Sequence, residues 1–259
     1  MDYLERIDHI ETEELLWNVP EQKKGAISIV GGNIHCFRTS VKTAEYLTGQ
    51  YPIKDLKVVL PDALKTKLPP LDNLVFLKST ESGTFLSGNE LKAVLNETDS
   101  NLVVGDLSKN SVTTKAFCEA CQDLKKPTII TRDAVDLLVE GKTEQILMNE
   151  NIVLMGSMAQ LQKVFRAVYY PKVLLLTQSL IQVAEALHKF TLSYPVSIIT
   201  LHSEQIIIVK NGKVNVVPLE KTDYSPLSIW SGELAAKIMA LNLYNPNNFL
   251  KATVAAIIK

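Results

Sequence analysis

Six short apolar runs recur along the first two-thirds of the chain, and the lack of polar alternation within several of them constrains the fold more than any other feature. They are Ala26–Val30, Leu56–Leu60, Leu74–Leu77, Asn101–Gly105, Thr128–Thr131 and Asn151–Met155. A strand with one wetted face alternates apolar and polar residues, so runs such as "LVFL" read as strands covered on both faces, as in parallel sheets. Helical stretches separate them. "RTSVKTAEYLTG" reads as a helix ending at Gly49, "SGNELKAVL" opens with Ser87 and Glu90 in capping-box spacing, and "SVTTKAFCEACQDL" starts from Asn110 and Ser111. This βαβα rhythm predicts an α/β fold with a mainly parallel central sheet and helices on both faces.

Beyond Met155, "SMAQLQKVFRAVYY" and "TQSLIQVAEALHKF" carry apolar residues at helical intervals. "SIITLHSEQIIIVKNGKVNVVPL" then predicts a strand followed by a hairpin whose turn is Asn211-Gly212, a pair suited to the positive φ angles of a tight two-residue turn. The turn from Lys210 to Lys213 is expected exposed at a sheet edge. Two helices close the chain, separated by Pro246. With no internal repeat, low-complexity tract or linker, residues 1–259 read as one α/β domain, with 1–20 as an N-terminal helical extension. At 46% hydrophobic residues the chain has ample material for a core.

A formal net charge of −1 leaves no basic footprint for nucleic acid, and no apolar run reaches the length that crosses a bilayer. The N-terminus lacks a charged-then-apolar leader, so a cytoplasmic location is expected. Of three cysteines, Cys118 and Cys121 stand in C-x-x-C spacing inside a helical stretch. No second ligand pair accompanies them, and a packed helix face explains them more simply than zinc or redox chemistry.

Two turns attract functional interest. Gly31-Gly32-Asn33 follows the first strand and precedes a helix, a place where backbone N–H groups can approach an anion, although such a pair is often only a tight turn. His35 and Cys36 beside it have contact roles at most. Ser231-Gly232-Glu233 heads a run that reads as a buried helix; its first N–H groups can cradle a phosphate and Glu233 can accept a proton, or the acid can simply complement the helix dipole.

Chain order adds context. "IVGGN", "NLVVGDLSKNS", "PTIITRDAVDLL", "NIVLMGSMAQLQKVF", a strand and hairpin, and "SGELAAKIMAL" follow one another over about residues 20 to 259. This order resembles the ribokinase-like superfamily, and within it the ADP- or ATP-dependent NAD(P)H-hydrate dehydratases. The family's IGGS-like turn is similar to Ile29–Asn33, its IGPGLG-like turn to Val104–Leu107, its D-A-D-A-L segment to Thr131–Val135, and its G-S-G-D signature to Trp230–Glu233. The resemblance implies a three-layer ribokinase-like fold, ADP or ATP with or without Mg as cofactor, hydrated NAD(P)H as substrate, and a homo-oligomer. It puts Glu233 in place of the catalytic aspartate and Ser231, Gly232, Gly31, Gly32, Asn33, Gly105 and Asp133 in the nucleotide and ligand contacts.

Departures from the pattern are specific. The second glycine of IGPGLG is missing, H-P-G-E has become Gly156-Ser157-Met158-Ala159, the first aspartate of D-A-D is Thr131, and the first glycine of G-S-G-D is Trp230. Glutamate also shifts the base by one methylene, and misplacing a reacting group by about 1 Å costs on the order of 100-fold in rate. Three readings follow: a dehydratase, a catalytically silent nucleotide- or partner-binding homologue, and a small-molecule kinase of the same superfamily acting on a vitamin precursor.

Overall fold

A computed structural model of the chain describes residues 3–4, 9–16, 18–69 and 71–258, with the side chains of 9–11 left aside. After helix α1 (His9–Leu16), strand β1 (Ala26–Gly31) leads to α2 (Arg38–Gln50), β2 (Asp55–Pro61), β3 (Leu74–Leu77) and α3 (Gly88–Glu97). Next come β4 (Ser100–Gly105), α4 (Ser111–Cys121), β5 (Thr128–Thr131) and the short helices α5 (Ala134–Leu138) and α6 (Thr143–Leu147). Strand β6 (Ile152–Met155), α7 (Met158–Ala167) and α8 (Leu180–Ser193) precede a meander, β7 (Ser197–His202), β8 (Gln205–Lys210) and β9 (Lys213–Pro218). Helices α9 (Glu233–Tyr244) and α10 (Phe249–Ile258) finish the described chain.

The strands form one sheet of nine in the order β3-β2-β1-β4-β5-β6-β7-β8-β9. Pairings from β3 through β7 are parallel, and β8 and β9 add antiparallel. Burial on both faces explains the unalternating inner strands, whereas β3 lies at the sheet edge and is only half-buried throughout, against the expectation from its sequence. Val30, Val59, Val103, Ile130 and Leu154 meet a core with the helices α3 to α8, while their neighbours Ile29, Val58, Leu102, Ile129 and Val153 meet α2, α9 and α10 on the other side.

The Asn211-Gly212 turn forms as expected, with φ of 50° and 76°. Asn211 and Lys213 are exposed at the edge hairpin, but Gly212 is buried, its α-carbon face lying against Leu192 and His188. Cys118 and Cys121 are free thiols buried in α4, and burial pushes Cys118 up to about 11. No helix of the described residues is long and apolar enough to cross a membrane.

One topological fact positions the site. The chain builds the sheet outward from β1 to β3, then returns to set β4 on the other side of β1. Loops leaving β1 and β4 at their carboxyl ends therefore diverge, and open α/β sheets bind ligands in the crevice at this switch point. Helix α9 packs across it, with Leu234 to Leu241 all buried, Lys237 included.

Candidate functional site

At the carboxyl end of β1 the register shifts between Val30 and Gly31, and Gly32, with φ 97°, donates from its N to Gly105 O (3.0 Å). A β-carbon at Gly31 would lie 2.7 Å from that same carbonyl, so the first turn and the β4 turn fit only without a side chain there. Asn33 folds the turn back on itself: its Oδ1 accepts from His35 N (2.9 Å) and Cys36 N (3.2 Å), and its Nδ2 donates to Asp106 O (2.6 Å).

Asp106 is the centre of the arrangement. Its Oδ2 accepts from Thr39 Oγ1 (2.8 Å), its Oδ1 from Arg132 Nη2 (3.1 Å), and its N donates to Asp133 Oδ1 (2.8 Å). The loops after β1 and β5 and the first turn of α2 are thus tied to the loop after β4 by one aspartate, through its backbone and its carboxylate, and its side chain is only 13% exposed. Asp106, Ser108 and Arg132 all adopt positive φ (58°, 74° and 56°), a region that costs a non-glycine residue on the order of 1–2 kcal/mol. The backbone takes a glycine-type path at three residues that are not glycine.

Asp133 serves this knot directly, and Gly105 permits it, since a β-carbon at Gly105 would collide with Asp133 Oδ1. Arg132 Nε, Thr131 Oγ1 and Ser40 Oγ are buried polar atoms without a hydrogen-bond partner among the described residues. Desolvation and the adjacent Asp106 carboxylate push the Cys36 thiol up, the opposite of what a nucleophilic thiolate requires.

A cleft of about 630 Å³ opens on one side of the knot, lined by Asp106, Arg132, Asp133 and Trp230 together with Gln160 and Lys163 of α7. Ser157 and Gln160 form a reciprocal capping box at the head of α7, and Gln160 Nε2 reaches across to Arg132 O (2.6 Å) and Asp136 Oδ2 (3.0 Å). Burial resists ionisation of Asp136, but hydrogen bonds from Lys163 and Gln160 and the Lys163 charge outweigh it and hold the carboxyl below its ordinary range.

The head of α9 stands on the other side. Gly232 takes φ 100°, and a β-carbon there would press on Thr43 Oγ1 at 2.9 Å and approach Thr39 Cγ2 at 3.6 Å. Ser231 Oγ accepts a long bond from Glu233 N (3.4 Å). Glu233 is exposed and its carboxylate has no hydrogen-bond or ion-pair partner among the described residues; its charge is felt by the half-buried phenols of Tyr46 and Tyr224, whose ionisation burial and then neighbouring charges push up. One turn on, Lys237 Nζ lies 3.5 Å from Tyr224 Oη, and burial lowers its pKa.

The structure therefore brings Gly31, Gly32, Asn33, Gly105 and Asp133 into one hydrogen-bonded unit. It places Ser231, Gly232 and Glu233 in a second unit, joined to the first through Thr39. Trp230 lines the cleft; Glu233 is not among the residues that do. Thr39, Thr43 and the role of Asp106 were missed in sequence, where the usable signals were a hydroxyl in the first turn after the glycine pair and an acid directly after the β4 glycine.

The fit of a metal is poor. Asp106, Asp133 and Asp136 are each engaged by protein donors, and no group of three His, Cys, Asp or Glu side chains converges among the described residues. Magnesium would have to arrive with the phosphates of a nucleotide.

The fold is ribokinase-like. Comparisons with family models and with curated proteins find no match for the sequence. Among solved structures, a hypothetical protein from Streptococcus mutans superimposes with a TM-score of 0.69 at 16% identity over 97% of this chain and 87% of its own. A ribokinase-like superfamily protein from Enterococcus faecalis V583 gives 0.67 at 14% identity, over 100% and 86%. The ADP/ATP-dependent NAD(P)H-hydrate dehydratase from Bacillus subtilis, crystallised with ATP/Mg2+ and soaked with CoA, gives 0.61 at 12% identity, over 95% and 84%. At these identities the likeness concerns architecture.

Proposed function

We propose that the chain binds ADP or ATP at the carboxyl-end crevice and transfers a phosphoryl group to a small-molecule hydroxyl, with hydrated NADH or NADPH as the substrate to assay first. One observation carries this reading: Gly232 bends the chain into the left-handed region and leaves Glu233 exposed and uncommitted at the head of a buried helix. Gly232 holds the N-cap position, so Glu233 does not cap the helix; it either serves as a base or complements the helix dipole, and the variants below separate the two. The first-turn N–H groups of α9 supply an anion cradle with the positive end of the helix dipole behind it. Glu233 would take the proton of the attacking hydroxyl as the phosphoryl group is transferred, leaving ADP (from ATP) or AMP (from ADP), and in the dehydratase reaction the resulting phosphate ester then expels phosphate as the adjacent ring carbon gives up a proton and the C=C bond forms.

A second reading, a catalytically silent homologue that binds a nucleotide weakly or binds a partner instead, is supported by Asp106. Its carboxylate, held by Thr39 and Arg132, puts negative charge on the wall of the cleft and occupies the guanidinium that a phosphate would otherwise recruit.

Thermal unfolding with ADP, ATP and NADPH tests binding, since a ligand at 100 times its dissociation constant stabilises the native state by about 2.7 kcal/mol. Dehydration of hydrated NADPH, assayed on wild type, Glu233→Gln and Glu233→Asp, tests chemistry. The proposal expects turnover lost in Glu233→Gln and kept or raised in Glu233→Asp. No wild-type turnover, with or without a nucleotide-induced thermal shift, selects the silent reading, and a stable phosphate ester as product selects a small-molecule kinase. Light scattering reads out the homo-oligomer that the resemblance implies.

A further inference from the structure

At the opposite end of the sheet, where β1, β4, β5 and β6 begin, lies a cavity of about 560 Å³, within the range of small-molecule sites. Its floor is apolar: Ile129 and Val153 from the strands, Met239 and Leu243 from the last turns of α9, and Phe249 at the start of α10. Lys210, the last residue of β8, reaches in. Its Nζ sits 4.6 Å from the centre of the Phe249 ring, and no carboxylate among the described residues lies within ion-pair distance. Partial burial lowers its pKa, and the charge of Glu150, which lines the same cavity, offsets this only in part. A desolvated ammonium facing an apolar cavity is costly unless an anion joins it.

Charge at the rim limits what that anion can be. Asp99 is turned to Lys126 (3.9 Å) and to Ala26 N (3.0 Å), Glu150 also lines the cavity, and the carbonyl end of α9 faces it with the negative pole of the helix dipole. Lys24 and Lys126 stand beside these acids on the lining, so the charge there is nearly balanced, and a polyphosphate would still meet both carboxylates and that pole. A single negative charge on an apolar body needs only Lys210, over the Phe249 ring, and the apolar floor.

We propose that this cavity is a second ligand site, distinct from the carboxyl-end crevice, that takes an apolar monocarboxylate with its carboxylate on Lys210 and its chain or ring over Phe249 and Leu243. The full-length protein is titrated calorimetrically with octanoate and phenylacetate, and with octan-1-ol as the uncharged counterpart. Saturable binding of the carboxylates is expected, with octanol weaker by about tenfold or more, the equivalent of one charge-assisted contact. Lys210→Met, which keeps a chain over Phe249, should weaken octanoate by a similar factor of about ten, whereas Lys115→Met on the distant α4 should bind as wild type. The proposal is overturned if neither carboxylate binds saturably, if octanol binds as well as octanoate, if Lys210→Met leaves binding unchanged, or if ATP competes with octanoate. The octanol arm needs no variant, so it decides even if Lys210→Met folds poorly.

Discussion

Two polar knots tie the same strands at their opposite ends, and they differ in kind. At the amino ends, Asn101 of β4 is fully buried and fully used: Oδ1 accepts from Ser28 Oγ and Thr98 Oγ1 (both 2.6 Å), and Nδ2 donates to Leu95 O (2.8 Å) and Thr128 Oγ1 (3.1 Å). At the carboxyl ends, the knot around Asp106 is charged, partly exposed, built on left-handed backbone and bordered by unpartnered polar atoms. A neutral, saturated network fixes register and has nothing left to offer a ligand. Strain and unspent hydrogen-bonding capacity are common where a fold does chemistry; here three of the seven unpartnered buried polar atoms among the described residues, and three of the seven positive-φ residues other than glycine, lie at the switch point.

The sharpest way to break the contrast is Asn101→Ala. It strands two hydroxyls and a carbonyl in a sealed interior, so a loss of about 4 kcal/mol is expected in urea unfolding. A loss below about 1 kcal/mol would mean that the amino-end knot is not structural. Gly105→Ala comes next. The alanine must hold φ near 85° and push Asp133 off Asp106 N, costing about 3 kcal/mol by the same measurement.

Asp106→Asn keeps shape and removes charge, which separates structure from function at the carboxyl end. Losing the charged partner of Arg132 should cost about 1–2 kcal/mol of stability, discounted because the guanidinium is 30% exposed. On the proposed function it should also tighten ATP binding by roughly fivefold, as about 1 kcal/mol of repulsion disappears. Unchanged or weaker ATP binding would show that the carboxylate is not the obstacle that favours the silent reading.

How much of this was legible in the sequence follows the same division. Strands buried on both faces announce themselves, and both the buried β5 and the half-buried edge strand β3 have the expected ends. Helix caps were partly readable: Ser87 Oγ does accept from Glu90 N, but the Glu90 carboxylate turns to Lys78 N, so only half of the capping box forms. The turn at Ser203-Glu204, with φ of 47° and 58° and no glycine or asparagine, carries no local signal; it is imposed by the pairing of β7 with β8. The five-residue helices α5 and α6 are too short for periodicity to show. At the site, the glycines were visible, but Thr39 and Asp106 meet across 67 residues of sequence, and no spacing rule reaches that far.

The smallest expected effect concerns a glycine that belongs to neither knot. The sequence places the end of α2 at Gly49, as a glycine near a helix terminus often marks a stop, yet the helix continues to Gln50 and closes through Tyr51 N to Leu47 O. Gly49 is exposed, takes no positive φ, and has nothing within 4 Å of where a β-carbon would sit. It is therefore a glycine without a structural reason, unlike Gly31, Gly105 or Gly232, whose missing side chains each make room for a named atom. Alanine narrows the unfolded ensemble and fits the helix, so Gly49→Ala should stabilise the protein by about 0.5 kcal/mol, the low end of the propensity difference because the site is in the last turn. The same substitution at Gly232, where φ is 100° and Thr43 Oγ1 is 2.9 Å away, should instead destabilise. Opposite signs at these two positions are the expected outcome of paired unfolding curves; a loss at Gly49 would mean that α2 needs flexibility at its end, and the distinction between site glycines and idle ones would fall.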